Sequence, residues 1–428
     1  MDTLAFRLYL VFVCSWFLHL PTRYEALASI RADLVLLCLI AVLCVVSTAG
    51  SQEPRADRRT RRLLWTLVIY IIVTLPLVEW PGSVVKTGFP QFLKGFVFFP
   101  FTVALVTTRG RLKHLLIVFI GCQMFRVFEP LYLHLTQGYW GSIASMADWE
   151  YMDRLSGAPD DVVNPNGLAA IVLTVLPFLH YLTGRSVAGR LIYLVSLPFL
   201  IYVLVLTGSR SGLVGLAAIF ALVWWKSRHK VALLAVVAAT VLIVVPRLSP
   251  DQQDRYTSIF SGQTKNSATV QTRLDRQKDN LQVTMHRPLF GHGLGTSREA
   301  NFNFGSVDQL SHNLYLEISQ ELGVCGLVIF LMFMRSLLLD LAAGGRALRR
   351  SAAPPTLLCG LVPAVQVFIG MNVLFSFASY GLSSYEWYLT AGLTEVLGRL
   401  TQPAEAQAVE RAAARVDARS LHPAPASS

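Results

Sequence analysis

Residues 247–312, RLSPDQQDRYTSIFSGQTKNSATVQTRLDRQKDNLQVTMHRPLFGHGLGTSREANFNFGSVDQLSH, are polar in a chain that is otherwise mostly apolar. On either side lie apolar runs, residues 231–246 and 313–339, that read as membrane spans. A polar insert of this length between two spans points to a functional segment, because loops beyond about 15 residues are uncommon unless they bind, gate or catalyse. The insert carries Arg255, Arg273, Arg276, Lys278, Arg287 and Arg298, and ends at His312 against the start of the next apolar run.

Working outward, the composition is that of a membrane protein. Of 428 residues 54% are hydrophobic and only 15% are charged, whereas soluble domains carry about 25% charge. The mean hydropathy is +0.50. A net charge of +11 would suit a nucleic-acid binder, but Lys and Arg fall in short clusters between apolar runs and no nucleic-acid motif occurs, so partners of that class are excluded. The cysteines, Cys14, Cys38, Cys44, Cys122, Cys325 and Cys359, sit in or beside apolar runs without metal-ligand spacing and read as small hydrophobes. The first run, Leu4 to Leu20, lacks an early basic region and a small-residue cleavage site and reads as a retained span.

Apolar runs fall near 5–21, 32–50, 63–80, 91–108, 114–134, 166–183, 191–207, 212–226, 231–246, 313–339, 355–377 and 386–399. The expected fold is therefore all-α and polytopic, with about twelve transmembrane helices. Every second loop is basic: Arg55 to Arg62, Arg109 to Lys113, Arg185 and Arg190, Lys226 to Lys230, and Arg346 to Arg350. Since cytoplasmic loops carry such excess, both termini are expected in the cytoplasm and the insert on the outer side. This gives one integral membrane domain over 1–399, with outer loops at 135–165 and 247–312, and a cytoplasmic tail over 400–428 expected to be disordered. No internal repeat stands out, which argues against a secondary transporter.

Ionisable residues inside spans cost about 2.5–3.5 kcal/mol on insertion scales and need a partner or a task. Arg126 and Glu129 stand three apart on the fifth span and form either a self-neutralising pair or, for Arg126, a contact to an anionic headgroup. Lys94 can snorkel, while Asp33, Glu386 and Glu395 read as structural residues near interfaces. In Thr207-Gly208-Ser209-Arg210-Ser211-Gly212 a tight turn holds Arg210 at membrane depth, where it is either an interfacial arginine or a bidentate grip on an oxyanion beside free helix N-terminal NH groups.

Within the insert, Ser267 to Met285 is expected to be a helix along the membrane surface, with Val270, Leu274, Leu281 and Met285 on its apolar side. Glycines at 291, 293 and 295 permit a tight turn or a close approach, but the strand-then-helix context of a dinucleotide site is missing. His312 is either a surface residue or a general base. The earlier outer loop holds Tyr139, Trp140, Trp149, Tyr151 and Arg154, as interfacial anchors or a sugar-stacking lid, before the turn Asn164-Pro165-Asn166-Gly167.

These motifs, in order, resemble the O-antigen ligase and polymerase superfamily: Arg154-Leu155-Ser156-Gly157, Asn164-Pro165-Asn166-Gly167-Leu168-Ala169, Thr207 to Gly212, Pro288 to Gly295, Ser311-His312-Asn313-Leu314-Tyr315-Leu316 and Glu321-Leu322-Gly323. The resemblance covers about 150–330. It implies a membrane glycosyltransferase of the GT-C type in the bacterial inner membrane, its active site on the periplasmic side, with no metal and no cofactor. The implied donor is a polyprenyl-diphosphate-linked glycan. The acceptor is a lipid A core hydroxyl in a ligase or a carrier-linked repeat unit in a polymerase; transfer to protein, or a lipid or glycan transporter, are the remaining readings. Carried over by position, Arg210 and Arg273 stabilise the leaving diphosphate and His312 takes the acceptor proton, while Arg276, Arg154, Arg126, Ser209 and Asn313 bind substrate.

Overall fold

The computed structural model describes residues 2–49, 59–141, 153–161, 163–184, 186–244, 246, 248, 250–257, 267–305, 310–351, 353–379 and 381–401. Every regular element among them is a helix. The long ones are α1 (Asp2–Leu18), α2 (Ala32–Ala49), α3 (Arg59–Thr74), α4 (the broken run Pro81–Leu105), α5 (Arg109–Gln137), α6 (Pro165–Thr183), α7 (Val187–Leu206), α8 (Arg210–Lys226) and α9 (Lys230–Val244). The insert supplies α10 (Pro250–Thr257), α11 (Ser267–His286) and α12 (Ser297–Phe304), and the chain closes with α13 (Leu314–Arg350), α14 (Thr356–Phe375) and α15 (Tyr385–Leu400).

Each apolar run finds its helix. Among the described residues seven helices are long and apolar enough to cross a membrane, α13 being the most apolar of them. Of the others, α1 and α8 have 17 residues and α15 has 16. The basic segment at 51–58, the aromatics Trp149 and Tyr151, and the tail from residue 402 lie outside the described residues.

Packing in such a bundle depends on close fit, because lipid tails are as apolar as the side chains they would replace. Fully buried Tyr9, Phe12, Phe17, Phe92, Phe98, Phe330, Phe333 and Tyr388 fill the interior. Small residues bring backbones together: a Cβ added at Gly212 of α8 would stand 2.9 Å from the Ala169 Cβ of α6. Polar pairs stitch the end opposite the insert, where Arg61 of α3 pairs with Glu395 of α15 and Thr60 donates to Asp340 at 2.6 Å.

One expectation about charge is corrected. Arg126 and Glu129 do not neutralise each other: Arg126 makes a bidentate pair with Asp161, at 2.8 and 2.9 Å, and Glu129 takes Arg23 at 2.6 and 2.5 Å. With Gln123 also held, at 3.2 Å, and 7% exposure, Arg126 is engaged in joining α5 to the 153–161 segment. A lipid headgroup would have to displace a carboxylate that is already in place.

The insert lies as a layer of helices across one end of the bundle. Leu281 and Met285 of α11 are exposed, whereas Asn280, Val283 and Thr284 are buried against the protein. The docked side of α11 is thus largely polar: Gln320 of α13 donates to the Asn280 carbonyl at 3.1 Å and to Asn301 of α12 at 2.8 Å. Directly below, α13 breaks at Gly323 (φ 67°, ψ −175°). The break exposes carbonyls that the glycine run takes up, with His292 N donating to Gln320 O at 2.7 Å and Gly293 N to Glu321 O at 2.9 Å. Gly291, with φ of 72°, approaches so closely that a Cβ there would lie 2.4 Å from the Glu321 carbonyl. The glycines are a docking joint between insert and bundle.

Candidate functional site

Two backbone turns build the first part of the site. Asn164 caps α6 by accepting from Gly167 N at 2.8 Å, with Pro165 in the first turn, where its missing NH costs nothing. Ser209 caps α8 by accepting from Gly212 N at 3.1 Å, after Gly208 in the left-handed region at φ 57°. These two helix starts face each other through Asn166, whose Oδ1 accepts from the Ser209 hydroxyl at 2.9 Å and from the Arg154 guanidinium at 2.9 Å.

Arginines converge on the same turn. Arg154, 7% exposed, donates through Nε to the Thr207 carbonyl at 2.8 Å, and its neighbour Leu155 N donates to Leu206 O at 2.9 Å. From the insert, Arg255 Nε donates to Gly208 O at 2.8 Å and the Tyr256 hydroxyl to Val205 O at 3.1 Å. Burial pushes the Tyr256 phenol up to about 12, so it stays protonated as a donor. Arg210, 9% exposed, opens α8 at the centre of this group. Several guanidinium groups therefore surround one helix N-terminus, an arrangement suited to anionic oxygen.

A cavity of about 400 Å³ adjoins the turn through Asn166. Its walls come from the start of α6, the end of α14, the 378–387 segment, and His312. His312 is exposed, but its neighbours are fixed. Asn280 of α11 donates to the Ser311 hydroxyl at 3.3 Å, Asn313 Oδ1 caps α13 by accepting from Tyr315 N at 3.0 Å and Leu316 N at 3.3 Å, and Leu314 N donates to Ser376 O at 2.9 Å. An imidazole on such a frame can exchange a proton with a hydroxyl in the cavity.

The structure thus brings together Arg154, Ser209 and Arg210, with His312 across the adjoining cavity. Asn313 holds the helix start through its side-chain oxygen. Arg126 sits in the pair with Asp161. Arg276 is half-buried on α11, and the Arg273 side chain on the same helix lies outside the described residues. Among the described residues no group of three or more His, Cys, Asp or Glu could hold a metal ion.

Three residues named in the sequence reading were given no site role there: Asn166, Arg255 and Glu386. Asn166 follows a Pro at a helix start, in a stretch read as a turn and as one of the resembling motifs but with no role for its side chain. Glu386, read as structural, lines the cavity. His292, by contrast, is buried between Trp80 and Phe304, with Nε2 3.1 Å from the Val283 carbonyl, and burial pushes its pKa down, so it serves packing.

No curated protein matches the chain. Residues 195–331, a stretch that takes in Arg210, Arg255, the insert and His312, match the family model described as O-Antigen ligase.

Proposed function

We infer that the protein transfers a glycan from a polyprenyl-diphosphate carrier to an acceptor hydroxyl at the periplasmic face of the bacterial inner membrane, as a metal-independent glycosyltransferase of the GT-C type with lipid A core as acceptor. The observation that carries this reading is the Asn166 junction: one side chain touches the arginine-rich turn at Ser209 and also lines the cavity that His312 borders.

Cleaving a sugar–diphosphate bond builds negative charge on the departing phosphate. Guanidinium groups and helix N-terminal NH groups already in position act where that charge develops, and loss of one such donor costs about 10²–10³ in rate. Arg210 and the first turn of α8 fill this role, with Arg273 or Arg276 of α11 as the second grip. On the far side of the sugar the attacking hydroxyl loses its proton as the new bond forms, and His312 accepts it. Polymerisation differs only in the acceptor, a carrier-linked repeat unit in place of lipid A core.

The test uses purified protein in lipid nanodiscs with a labelled polyprenyl-diphosphate glycan and either acceptor. Carrier diphosphate should be released only when an acceptor is present, and the labelled product identifies ligase or polymerase. Arg210→Ala and His312→Ala should each insert and unfold like the parent protein while losing transfer by two orders of magnitude or more. Activity within a few-fold of normal in either variant removes the role given to that residue.

A further inference from the structure

The cavity beside Asn166 has a lining that the diphosphate does not explain. Among the described residues no Lys or Arg contributes to it, and the ionisable side chains in its lining are His312 and Glu386. Amides and hydroxyls make up most of the remaining polar wall: Asn166, Thr174, Asn372, Ser376 and Ser384. Phe375 and Trp387 add apolar surface. At about 400 Å³ it lies within the range of small-molecule sites, about 300–1,000 Å³.

Each class of occupant can be weighed against that wall. A phosphate would meet a carboxylate with no Lys or Arg among the described lining residues. A lipid chain would strip water from amides and hydroxyls without giving them partners, at a cost of about 1–3 kcal/mol for each group. A neutral molecule rich in hydroxyls meets neither objection, and the aromatic side chains offer apolar surface for the C–H groups of a sugar ring.

Glu386 is held in position. Its carboxylate accepts a hydrogen bond from Ser384. The segment before it is pinned by Glu317, which accepts from Gly381 N at 2.9 Å and Leu382 N at 3.3 Å, and by the Tyr388 hydroxyl, which donates to Leu382 O at 2.5 Å. Behind it α4 packs so closely that a Cβ on Gly95 would stand 2.2 Å from the Ser383 carbonyl oxygen. A carboxylate on so rigid a support is ready to accept hydrogen bonds without reorganising.

The geometry points to this cavity as a saccharide subsite, in which Glu386, paired with Ser384, accepts hydrogen bonds from hydroxyls of a neutral sugar and governs which sugar is set beside His312. This rests on the glycosyl-transfer reading above and adds to it a specificity-determining residue.

The test has two independent arms. In the first, detergent-solubilised protein is treated with a carbodiimide and an amine, and modification of Glu386 is followed by mass spectrometry. The probes are the methyl glycosides of glucose, galactose, mannose and N-acetylglucosamine, with glycerol and inorganic pyrophosphate as controls. At least one glycoside should slow modification of Glu386 severalfold while exposed Asp275 reacts unchanged. Protection by no glycoside, or equal protection by pyrophosphate, overturns the subsite.

In the second arm Glu386→Gln should raise KM for the glycan donor or acceptor about ten-fold, the loss of one charge-assisted hydrogen bond, with kcat little changed and an unaltered unfolding temperature. An unchanged KM overturns the proposal. Should wild-type protein release no carrier diphosphate while a glycoside still protects Glu386, the transfer reading fails and the subsite stands.

Discussion

At the scale of single residues, the arginines separate by what holds them. Arg154 donates to Thr207 O and to the Asn166 side-chain oxygen at the site. Arg126 is committed to a carboxylate. Burial alone would raise the Asp161 carboxyl, but hydrogen bonds from His19 and Arg126, with the guanidinium charge, outweigh it and hold Asp161 below its ordinary value of 3.8. A group whose pKa is depressed by folding stabilises the fold above its unfolded value and loses that contribution as pH falls toward the lowered one. Asp161→Asn should therefore destabilise the protein by about 3–5 kcal/mol at neutral pH, since it strands a buried guanidinium. Thermal unfolding in detergent should show this gap in full above the ordinary carboxyl value and a narrowing gap below it. A gap that persists undiminished in acid would mean that the pair does not titrate as described. Sequence spacing could not identify these partners. Arg126 and Glu129 are neighbours on one helix face, yet the bonds that form come from Asp161 and Arg23, and i, i+3 geometry yields to a better-placed carboxylate from a distant segment.

Helices and turns carry the next level. The surface helix was legible: residues 267–285 were expected and Ser267–His286 is observed, because a capping residue and a downstream Pro mark both ends. Its orientation was less so, since the pattern of Leu281 and Met285 marks an apolar side but not that the opposite side docks through Asn280 and Gln320. The glycine run likewise announced a close approach without naming what it approached, which is the broken strand of carbonyls at Gln320 and Glu321. At Gly323 the left-handed φ and a Cβ position 2.2 Å from Leu289 O leave no room for a side chain. Gly323→Ala should cost about 1–3 kcal/mol through backbone strain and displacement of the loop. Hydrogen exchange should show α11 and α12 losing protection before the membrane helices do. Uniform loss across the bundle would argue that the insert is not separately docked.

For the whole molecule, the twelve apolar runs and their punctuation were readable because a bilayer imposes one length and one polarity on each span. The cavity was not readable. Its walls come from residues as far apart as Val163 and Trp387, and no local pattern encodes that meeting. The alternation of basic loops carries a prediction of its own. In a protein stripped of native cysteines, Lys278→Cys, at an exposed position of α11, should react with a membrane-impermeant maleimide from the periplasmic side, and Arg228→Cys, on the α8–α9 link, only after the membrane is opened. Labelling of both from one side would invalidate the topology on which the periplasmic assignment depends.

The joint that Asn166 makes with Ser209 also sets an order of biogenesis. Helices emerge from the ribosome in sequence, so α6 and α8 can bring the arginine-rich turn together while most of the insert is still unmade. His312 follows with the start of α13, and Glu386 arrives only with α15, the final helix. The nascent chain therefore gains the Asn166–Ser209 joint early and the last wall of the cavity only at the end, and a ribosome stalled before α15 would leave a seated protein unable to complete the cavity.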